Sequence, residues 1–317
     1  MPQSLRYAII TPARNEEKFI ELTLKSMVAQ TMPPVKWIIV SDGSTDKTDE
    51  IVLGYAAKHS WIELLRMPER RERHFAGKVY AFNAGYDRIK ALDFAIVGNL
   101  DADVSFEPQL FEFLIGKMQQ NPRLGLAGAP FREGGFQYDY RYSNIENVWG
   151  GCQLFRKECY EQIGGYMPLK GGCIDHVAVL SSRYHGWETR TFPEYVCDHH
   201  RTMGTAQQGQ LKAKFRVGVK DHSVGNHPLW EFVRALYQMK YPPLLFGGVA
   251  LGLGYVWAMI SGKEVPLSPE LVVFVRREQM QRIRRLFSRS SKTSHANTAN
   301  EQRLNSAASS EAKEAIR

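Results

Sequence analysis

A run of apolar residues that ends in two aspartates decides the fold of this chain: residues 94–103 read FAIVGNLDAD. Two similar runs precede it, YAII at 7–10 and WIIV at 37–40, and polar residues follow each of them. Another apolar run, LGLAG at 124–128, comes after it. Short strands that are apolar on both faces are typical of a parallel sheet that helices cover on both sides.

Helical spacing fills the segments between these strands. The apolar positions that fall on one helical face are Ile20, Leu24, Met27 and Val28 in the first segment, and Ile51, Val52 and Tyr55 in the second. Strands that alternate with such helices predict an α/β fold, with a Rossmann-like, mostly parallel sheet flanked by helices.

Polar residues stand at three strand ends of this predicted sheet. They are TPARNE at 11–16, Asp42, and Asp101 with Asp103. Ligands of open α/β sheets bind at the carboxyl ends of the strands. Of two carboxylates one residue apart, one can ligate a hard divalent cation while the other binds a ribose hydroxyl or a metal-bound water. As an isolated tripeptide, however, Asp-Ala-Asp also fits a solvated turn.

Several motifs, in this order along the chain, resemble those of the family 2 glycosyltransferases. They are TPARNEE at 11–17, VSDGSTD at 40–46, GK at 77–78, NAG at 83–85, DAD at 101–103, GCQLFR at 151–156, GGY at 164–166, and ID at 174–175 with GW at 186–187. The resemblance covers roughly residues 5 to 205 and implies the GT-A fold. A dehydrogenase or a P-loop protein is disfavoured, because the chain lacks both GxGxxG at its first strand end and GxxxxGK[ST].

The resemblance implies a nucleotide pocket at the first two strand ends. Pro12, Asn15 and Glu16 would line this pocket, and Asp42 would accept a hydrogen bond from the base. Ser41 stands where the family commonly has a first aspartate. The identity of the base therefore stays open between a UDP-sugar and a GDP-sugar.

Three further residues would complete the donor site by the same resemblance. Lys78 would lie near the nucleotide or its phosphates, Asp101 would face the ribose, and Asp103 would bind a divalent metal, Mn²⁺ or Mg²⁺. A cation there would neutralise the charge that develops on a departing diphosphate. For Asp42 and Lys78 the simpler interpretations are a turn that caps a helix and a surface charge.

Asp175 is the candidate general base. The family often has Glu-Asp here, with a glycine eleven residues after the aspartate; Gly186 stands at that distance, but Ile174 replaces the glutamate. The chemistry requires one carboxylate that faces the acceptor hydroxyl. Asp175 would also make a good helix N-cap, which is the structural alternative.

The cluster His199-His200-Arg201 supplies a second set of candidate ligands. Enzymes with the GT-A fold commonly add a late histidine to the metal shell, and a neutral imidazole suits Mn²⁺. Either histidine could take this role, and both could equally be surface residues. Arg201 could pair with diphosphate oxygens in bidentate fashion.

Cysteine content and charge exclude several classes of protein. Four cysteines without a CxxC pair argue against a disulfide scaffold or a zinc finger, and buried thiols are expected. The net charge is +8, and residues 270–317 contribute +5 of it, with ten basic and five acidic residues. This local excess suggests an anionic lipid surface, and no motif points to a nucleic acid.

The chain changes character after about residue 205. Helices are predicted at 206–219, 227–240 and 271–287, and a disordered polar tail at 288–317. The resulting domain prediction is a catalytic domain at 1–205, a helical membrane-associated extension at 206–287, and the tail.

Residues 241–261 carry no charge and could cross a bilayer by length, since about 20 apolar residues suffice. A single span would put the six arginines between 276 and 289 outside, against the positive-inside tendency. The N-terminus shows no signal-peptide pattern, so we expect a cytosolic catalytic domain and a re-entrant or surface-lying element at the cytoplasmic face of the membrane. A helix buried against the catalytic domain and a true span are the alternatives.

The sequence as a whole predicts an inverting, metal-dependent glycosyltransferase. It would move a sugar from a nucleotide sugar to a saccharide or lipid-linked acceptor, in polysaccharide or glycolipid synthesis, with a polyprenyl phosphate as one possible acceptor. One rival is a catalytically silent scaffold that binds nucleotide sugars. Another is a nucleotidyltransferase, which usually has a glycine-rich first loop that this chain lacks.

Overall fold

The computed structural model describes residues 5–69, 75–134, 136–137, 144–201 and 209–285. The chain divides into two compact units between Ala213 and Lys214. The domain boundary predicted at residue 205 and the predicted tail at 288–317 lie outside the described residues.

Strands and helices alternate through the first unit. The strands are, in chain order, β1 Tyr7–Ala13, β2 Lys36–Asp42, β3 Ile62–Met67, β4 Ile96–Leu100, β5 Val104–Ser105, β6 Leu124–Gly128, β7 Phe131–Glu133, β8 Phe136–Gln137, β9 Cys152–Arg156, β10 Glu188–Thr191 and β11 Cys197–His199. The helices are α1 Ile20–Val28, α2 Thr48–Ala56, α3 Ala76–Ile89, α4 Leu110–Gln120, α5 Lys157–Gln162 and α6 Ile174–Tyr184.

Seven strands form the main sheet, in the order β10-β6-β9-β4-β1-β2-β3. Neighbours run parallel except β9, which is antiparallel to β4 and β6. Ile10 in β1 is paired with Ile38 in β2 and with Asn99 in β4, so the carboxyl ends of these strands share one edge. The predicted, mostly parallel sheet is thereby confirmed.

Helices cover both faces of this sheet, which explains why its central strands are mostly apolar. Ile9 belongs to one core cluster, with Trp37 and Leu24, whereas its neighbour Ile10 belongs to the other, with Phe82. Burial of one such side chain contributes about 1.5–3 kcal/mol. Alternate residues of β1 therefore stabilise opposite layers of the core.

A second, smaller sheet extends the edge at which the main strands end. Its order is β5-β11-β7-β8, and β11 is antiparallel to β5 and parallel to β7. His199 is paired with Val104, the residue that follows Asp103. This pairing brings two parts of the chain that are far apart in sequence to the same place.

The cysteines are free in the structure. Cys152, Cys159 and Cys197 are buried, as the sequence predicts, while Cys173 is half-buried. Burial raises the pKa of the Cys159 thiol to about 11. This thiol is therefore protonated at neutral pH and acts as a packing group.

The second unit is helical. It contains α7 Gln210–Ser223, which begins at the boundary, α8 Pro228–Gln238, α9 Phe246–Ile260 and a helical stretch at 269–285. The uncharged segment at 241–261 is divided into a loop and α9. Among the residues that the structure describes, no helix has the length and apolar character needed to cross a membrane.

Glycines let α9 pack closely on its neighbours. A methyl group at Gly248 would lie 2.2 Å from the carbonyl oxygen of Ala235 in α8, and one at Gly254 would lie 2.0 Å from that of Phe215 in α7. The hydroxyl of Tyr255 donates to the carbonyl of Asn226, just before α8, at 2.6 Å. Gly248 thus meets the end of α8 and Tyr255 its beginning, so α8 and α9 form an antiparallel hairpin.

A charged side chain, Glu231, is buried on the inner side of α8 together with Ala235. Glu231 is 2% exposed and its Oε2 accepts from Asn226 at 3.4 Å, whereas its Oε1 has no hydrogen-bond partner among the described residues. Arg234 is paired with Asp221 of α7 and lies 3.9 Å from Glu231. Burial, with the charge of Asp221, raises the pKa of Glu231 to about 8 although Arg234 lowers it.

We therefore expect the free energy of unfolding to fall as the pH rises from about 4.5 to about 8, because the folded protein holds a proton on Glu231 that the unfolded chain releases. Glu231→Gln should remove this dependence and stabilise the protein at pH 8 by up to about 4 kcal/mol, since the pKa rises from 4.5 to about 8 and one pKa unit corresponds to about 1.4 kcal/mol. Chemical denaturation of both proteins at pH 5 and pH 8 measures the effect. If Glu231→Gln lowers the free energy of unfolding by the same amount at pH 5 and pH 8, Glu231 is ionised in the folded protein and the prediction is wrong.

Candidate functional site

A cleft of about 590 Å³ opens at the carboxyl ends of β1, β2 and β4. This volume lies within the range of small-molecule binding sites. Its charged lining residues are Arg14, Glu16, Asp42, Lys78, Asp101, Asp103, Lys170 and Arg201. Four acidic and four basic side chains thus surround one space, an arrangement that suits a ligand with both hydroxyl and anionic groups.

Asp103 lies at the centre of the charged contacts in this cleft. It is buried, its Oδ2 is 3.6 Å from His199 Nε2 and 3.2 Å from Arg201 Nε, and the β5–β11 pairing holds it against both. His199 in turn contacts Glu133 through Nδ1, at 3.0 Å. The imidazole is therefore fixed between two carboxylates, with Nε2 facing Asp103.

These contacts set the charge of both groups. Burial raises the pKa of Asp103, but the hydrogen bond and charge of His199, together with Arg201 and Lys78, outweigh it, so the pKa lies below its usual value. The hydrogen bond to Asp103 raises the pKa of His199 against the effect of burial, and Glu133 adds to this rise. Asp103 is consequently ionised at neutral pH and available to a cation.

Glu16 has the opposite character from Asp103. Its carboxylate is paired with the guanidinium of Arg201. Burial, assisted by the charges of Asp103 and Asp101, nevertheless raises the pKa of Glu16 to about 7. Arg201 therefore bridges two carboxylates of the cleft, one ionised and one close to its titration point.

The two adjacent histidines point to different places. The ring of His200 contacts Ser105 Oγ at 2.8 Å and stacks beside Phe19, with ring centroids 6.4 Å apart. Its backbone N–H donates to the carbonyl of Asp103 at 2.9 Å. His199 alone of the pair faces the Asp103 carboxylate, so the structure distinguishes two residues that the sequence left equivalent.

Asn15 does not line the cleft and instead joins two of its loops. It has a positive φ of 57°, and its side-chain oxygen accepts from the Thr45 N–H at 2.8 Å. Its own N–H donates to Ser44 Oγ at 3.2 Å. The loop after β1 is thereby tied to the loop after β2. Asp42, the last residue of β2, lies at the cleft wall.

Lys78, in the first turn of α3, is paired with Asp101. Asn99, the residue of β4 that faces the same region, donates to the carbonyl of Gly150 at 2.6 Å. Lys78 Nζ lies 3.5 Å from that same carbonyl. The ammonium group is thus held over the end of β4 and is more than a solvated surface charge.

Asp175 lies beside the cleft and does not line it. It borders a smaller cavity that shares Lys78 with the cleft. Its carboxylate lies over Gly150, where a methyl group would come within 2.6 Å of Oδ2. Cys173, with a φ of 65°, takes the N-cap position of α6. The alternative of Asp175 as an N-cap is therefore wrong.

Among the described residues, no three His, Cys, Asp or Glu side chains converge to hold a metal ion. Asp103 and His199 nevertheless present a carboxylate and an imidazole 3.6 Å apart at the cleft, and these donor types suit Mn²⁺. Asp103 and His199 are thus the residues of the site that could hold a metal ion.

Two residues of the site lie outside every motif and were missed in the sequence, and Arg14, which stands in the first motif, received no role there although it lines the cleft. Lys170 lines the cleft from the loop before α6, and Glu133 contacts His199 from β7. Neither stands in a motif or at a predicted strand end. Only the tertiary structure reveals them, because both reach the site through non-local packing.

Comparison with known proteins identifies the family. The model of the family described as Glycosyl transferase family 2 matches residues 8–182, more than half of the chain. The chain belongs to glycosyltransferase family 2. The family resemblance inferred from the strand-end motifs is thereby confirmed.

Curated relatives of this family 2 member match over part of their length. The poly-β-1,6-N-acetyl-D-glucosamine synthase of Staphylococcus epidermidis is 31% identical over 111 residues, 35% of this chain and 25% of the relative. The 4,4′-diaponeurosporenoate glycosyltransferase of Staphylococcus aureus is 34% identical over 197 residues, 55% of this chain and 50% of the relative. The chain thus spans between a quarter and a half of the length of these relatives.

Solved structures support the GT-A fold. A mannosyltransferase from Pyrobaculum calidifontis, solved in complex with GDP-Man and Mn²⁺, superposes with a TM-score of 0.54 at 20% identity, covering 86% of this chain and 79% of that one. At this identity the match concerns the fold alone. The predicted GT-A-type fold is confirmed.

The bridge made by Asn15 should be essential for the shape of the cleft wall. We expect Asn15→Ala to destabilise the protein by about 1–3 kcal/mol, because it loses the Thr45 hydrogen bond and because alanine tolerates the left-handed region less well than asparagine. Asn15→Gly is the matched control, since it loses the same bond but relaxes the backbone. Equal losses in chemical denaturation would show that strain contributes nothing at this position.

Proposed function

We propose that the chain transfers a sugar, with inversion, from a nucleoside diphosphate sugar to a hydroxyl or phosphate acceptor. The observation that carries this proposal is the cleft in which Asp101, Asp103 and their cationic partners meet at one sheet edge. Carboxylates recognise ribose hydroxyls and a cation, and the basic groups recognise a diphosphate. Family membership supports the same reaction.

The donor would lie along the ends of β1, β2 and β4. Asp42 would accept from the base, Asp101 would bind the ribose, and Lys78 and Lys170 would contact phosphate oxygens, all four being cleft residues. Either UDP or GDP would fit this scheme, and the mannosyltransferase with a similar fold was solved with GDP-Man. The cleft is thus proposed to bind the donor by its nucleotide and diphosphate.

Asp103 and His199 would hold the divalent metal. When bound, such a cation neutralises negative charge on a departing diphosphate. Arg201 lies 3.2 Å from Asp103 and is paired with Glu16, so a diphosphate entering the cleft would compete with both carboxylates for its guanidinium. The arginine would then stabilise the leaving group, while Asp103 would be compensated by the metal and Glu16, whose pKa is raised to about 7, would take up a proton.

Asp175 would act as the general base toward a hydroxyl acceptor. The acceptor oxygen forms its bond to the anomeric carbon as the bond to the diphosphate breaks, and its proton passes to the carboxylate. The carboxylate lies beside Lys78 and Gly150, next to the donor cleft rather than in it. That position suits a group that contacts the acceptor and not the nucleotide.

The acceptor is proposed to be a saccharide or a lipid-linked group. The curated relatives include a polysaccharide synthase and a transferase named for a carotenoid acid, 4,4′-diaponeurosporenoate. A polyprenyl phosphate acceptor would need no base, because it is already ionised. A silent scaffold is less favoured, since the Asp101 and Asp103 carboxylates and their cationic partners are all present.

The metal assignment predicts different outcomes for two adjacent histidines. His199→Ala and Asp103→Asn should each weaken Mn²⁺-dependent binding of a nucleoside diphosphate by tenfold or more, because each removes a proposed ligand. His200→Ala is the matched control and should keep that binding, since its ring faces Ser105. Titration calorimetry with UDP and GDP, with and without Mn²⁺, measures this. Equal losses for both histidine variants would contradict the assignment of His199.

The base assignment predicts a separation of binding from turnover. Asp175→Asn should leave donor affinity unchanged, because the side chain lies outside the cleft, and should lower the transfer rate to a hydroxyl acceptor by about 10²-fold or more. Donor hydrolysis and transfer are to be measured over a panel of nucleotide sugars with Mn²⁺. Normal transfer to a hydroxyl by this variant would refute the role, and normal transfer to a phosphate alone would identify the acceptor class.

A further inference from the structure

Helix α8 buries a charged residue and exposes large apolar ones, which is the reverse of an ordinary surface helix. In α8 the buried positions include the charged Glu231, whereas Leu229, Phe232 and Leu236, spaced at helical intervals, are 47–60% exposed. A helix of a water-soluble protein normally shows the opposite arrangement. The apolar side of α8 therefore faces away from the protein interior.

The outer side of α9 continues this apolar surface. Its inner side, with Gly248 and Gly254, is packed on α7 and α8. The exposed large residues of α9 are Phe246, Val249, Leu253, Val256, Trp257, Met259 and Ile260. No charged residue lies between Lys240 and Lys263, so nothing interrupts this side. We call the exposed apolar residues of α8, α9 and the loop between them the outer face.

The loop between the two helices adds to the outer face. Leu244 and Leu245 are each 62% exposed, and Tyr241 is 45% exposed. Soluble monomeric proteins rarely expose contiguous apolar patches of this kind unless something covers them. The question is therefore what covers the outer face.

The lysines at the two ends of the outer face indicate what kind of surface covers it. The ammonium of Lys240 lies 5.9 Å from the ring centre of Tyr237, beside the loop, and that of Lys263 lies 5.6 Å from the ring centre of Trp257, beyond the end of α9. Aromatic rings with adjacent lysines suit the boundary between hydrocarbon and headgroups, where the ring is half apolar and the ammonium meets lipid phosphate. A second copy of the chain fits poorly, because either orientation would bring lysine opposite lysine.

We propose that the outer face docks on the surface of a lipid bilayer with anionic headgroups. Phe232, Leu253 and Leu245 would enter the acyl boundary, while Lys240 and Lys263 would contact headgroup phosphates. The inner side of α9 stays packed on its neighbouring helices, so the hairpin lies along the membrane. This inference does not depend on the proposed transfer reaction, because it rests on the second unit alone.

The test compares two double variants of the full chain. Phe232→Gln with Leu253→Gln changes the outer face, and Leu22→Gln with Leu53→Gln changes exposed residues of α1 and α2 as the matched control. Binding is measured by sedimentation with vesicles of phosphatidylcholine alone and of phosphatidylcholine with phosphatidylglycerol. We expect the outer-face variant to bind mixed vesicles at least about tenfold more weakly than the parent, because it loses apolar area that the lipid would bury, and the control to bind like the parent.

A charge variant tests the lipid specificity separately. Lys240→Gln with Lys263→Gln should weaken binding to mixed vesicles by about tenfold and leave binding to neutral vesicles unchanged. Thermal denaturation without lipid verifies folding, and both variants should melt like the parent because the changed side chains are exposed. Parent-like vesicle binding by the outer-face variant overturns the proposal. So does a lipid-free dimer, seen by analytical ultracentrifugation, that this variant converts to a monomer.

Discussion

Burial of β1, β2 and β4 on both faces is the constraint on which the first unit depends. Ile9 and Ile10 stabilise opposite layers, so the strand can carry polar chemistry only where it leaves the sheet. Because the three strands are parallel and in register, their first polar residues meet at one edge. The cleft is therefore a consequence of how the core is covered, and its charged groups come from loops that a rigid sheet positions.

The sequence was sufficient for this part of the site because it depends on local patterns. Asp42, Asp101 and Asp103 follow apolar runs whose lengths mark them as strands, and all three line the cleft. Because β1, β2 and β4 are parallel neighbours, residues that follow them lie at the same edge of the sheet. Lys78, which was predicted to lie near the nucleotide, also lines the cleft, from the first turn of α3.

Other parts of the site could not be predicted, because they depend on contacts between distant segments. His199 and His200 are equivalent as sequence, and only the antiparallel pairing of β11 with β5 turns one toward Asp103 and the other toward Ser105. Glu133 reaches His199 from β7 for the same reason. Asn15 was expected to line the pocket but instead joins two loops through its hydrogen bond with Thr45. For His199, His200 and Asn15 the direction of the side chain could not be predicted, whereas for Glu133 it was the location itself.

In the second unit, the apolar residues of one helix, α9, serve two purposes: some pack inside the protein and others are exposed at its surface. The glycines of α9 permit close contact with backbone on its inner side, where Leu251 and Tyr255 are also buried. The other large apolar residues of this helix are exposed on the opposite side. From the sequence alone, the uncharged stretch at 241–261 was predicted to be a re-entrant or surface-lying element, with a buried helix and a true span as the alternatives. In the structure, one side of α9 is packed as in a protein core and the other side is exposed. The buried Glu231 of α8 strengthens this distinction, because a charged residue turned inward and Phe232 turned outward on the same helix reverse the arrangement that water favours.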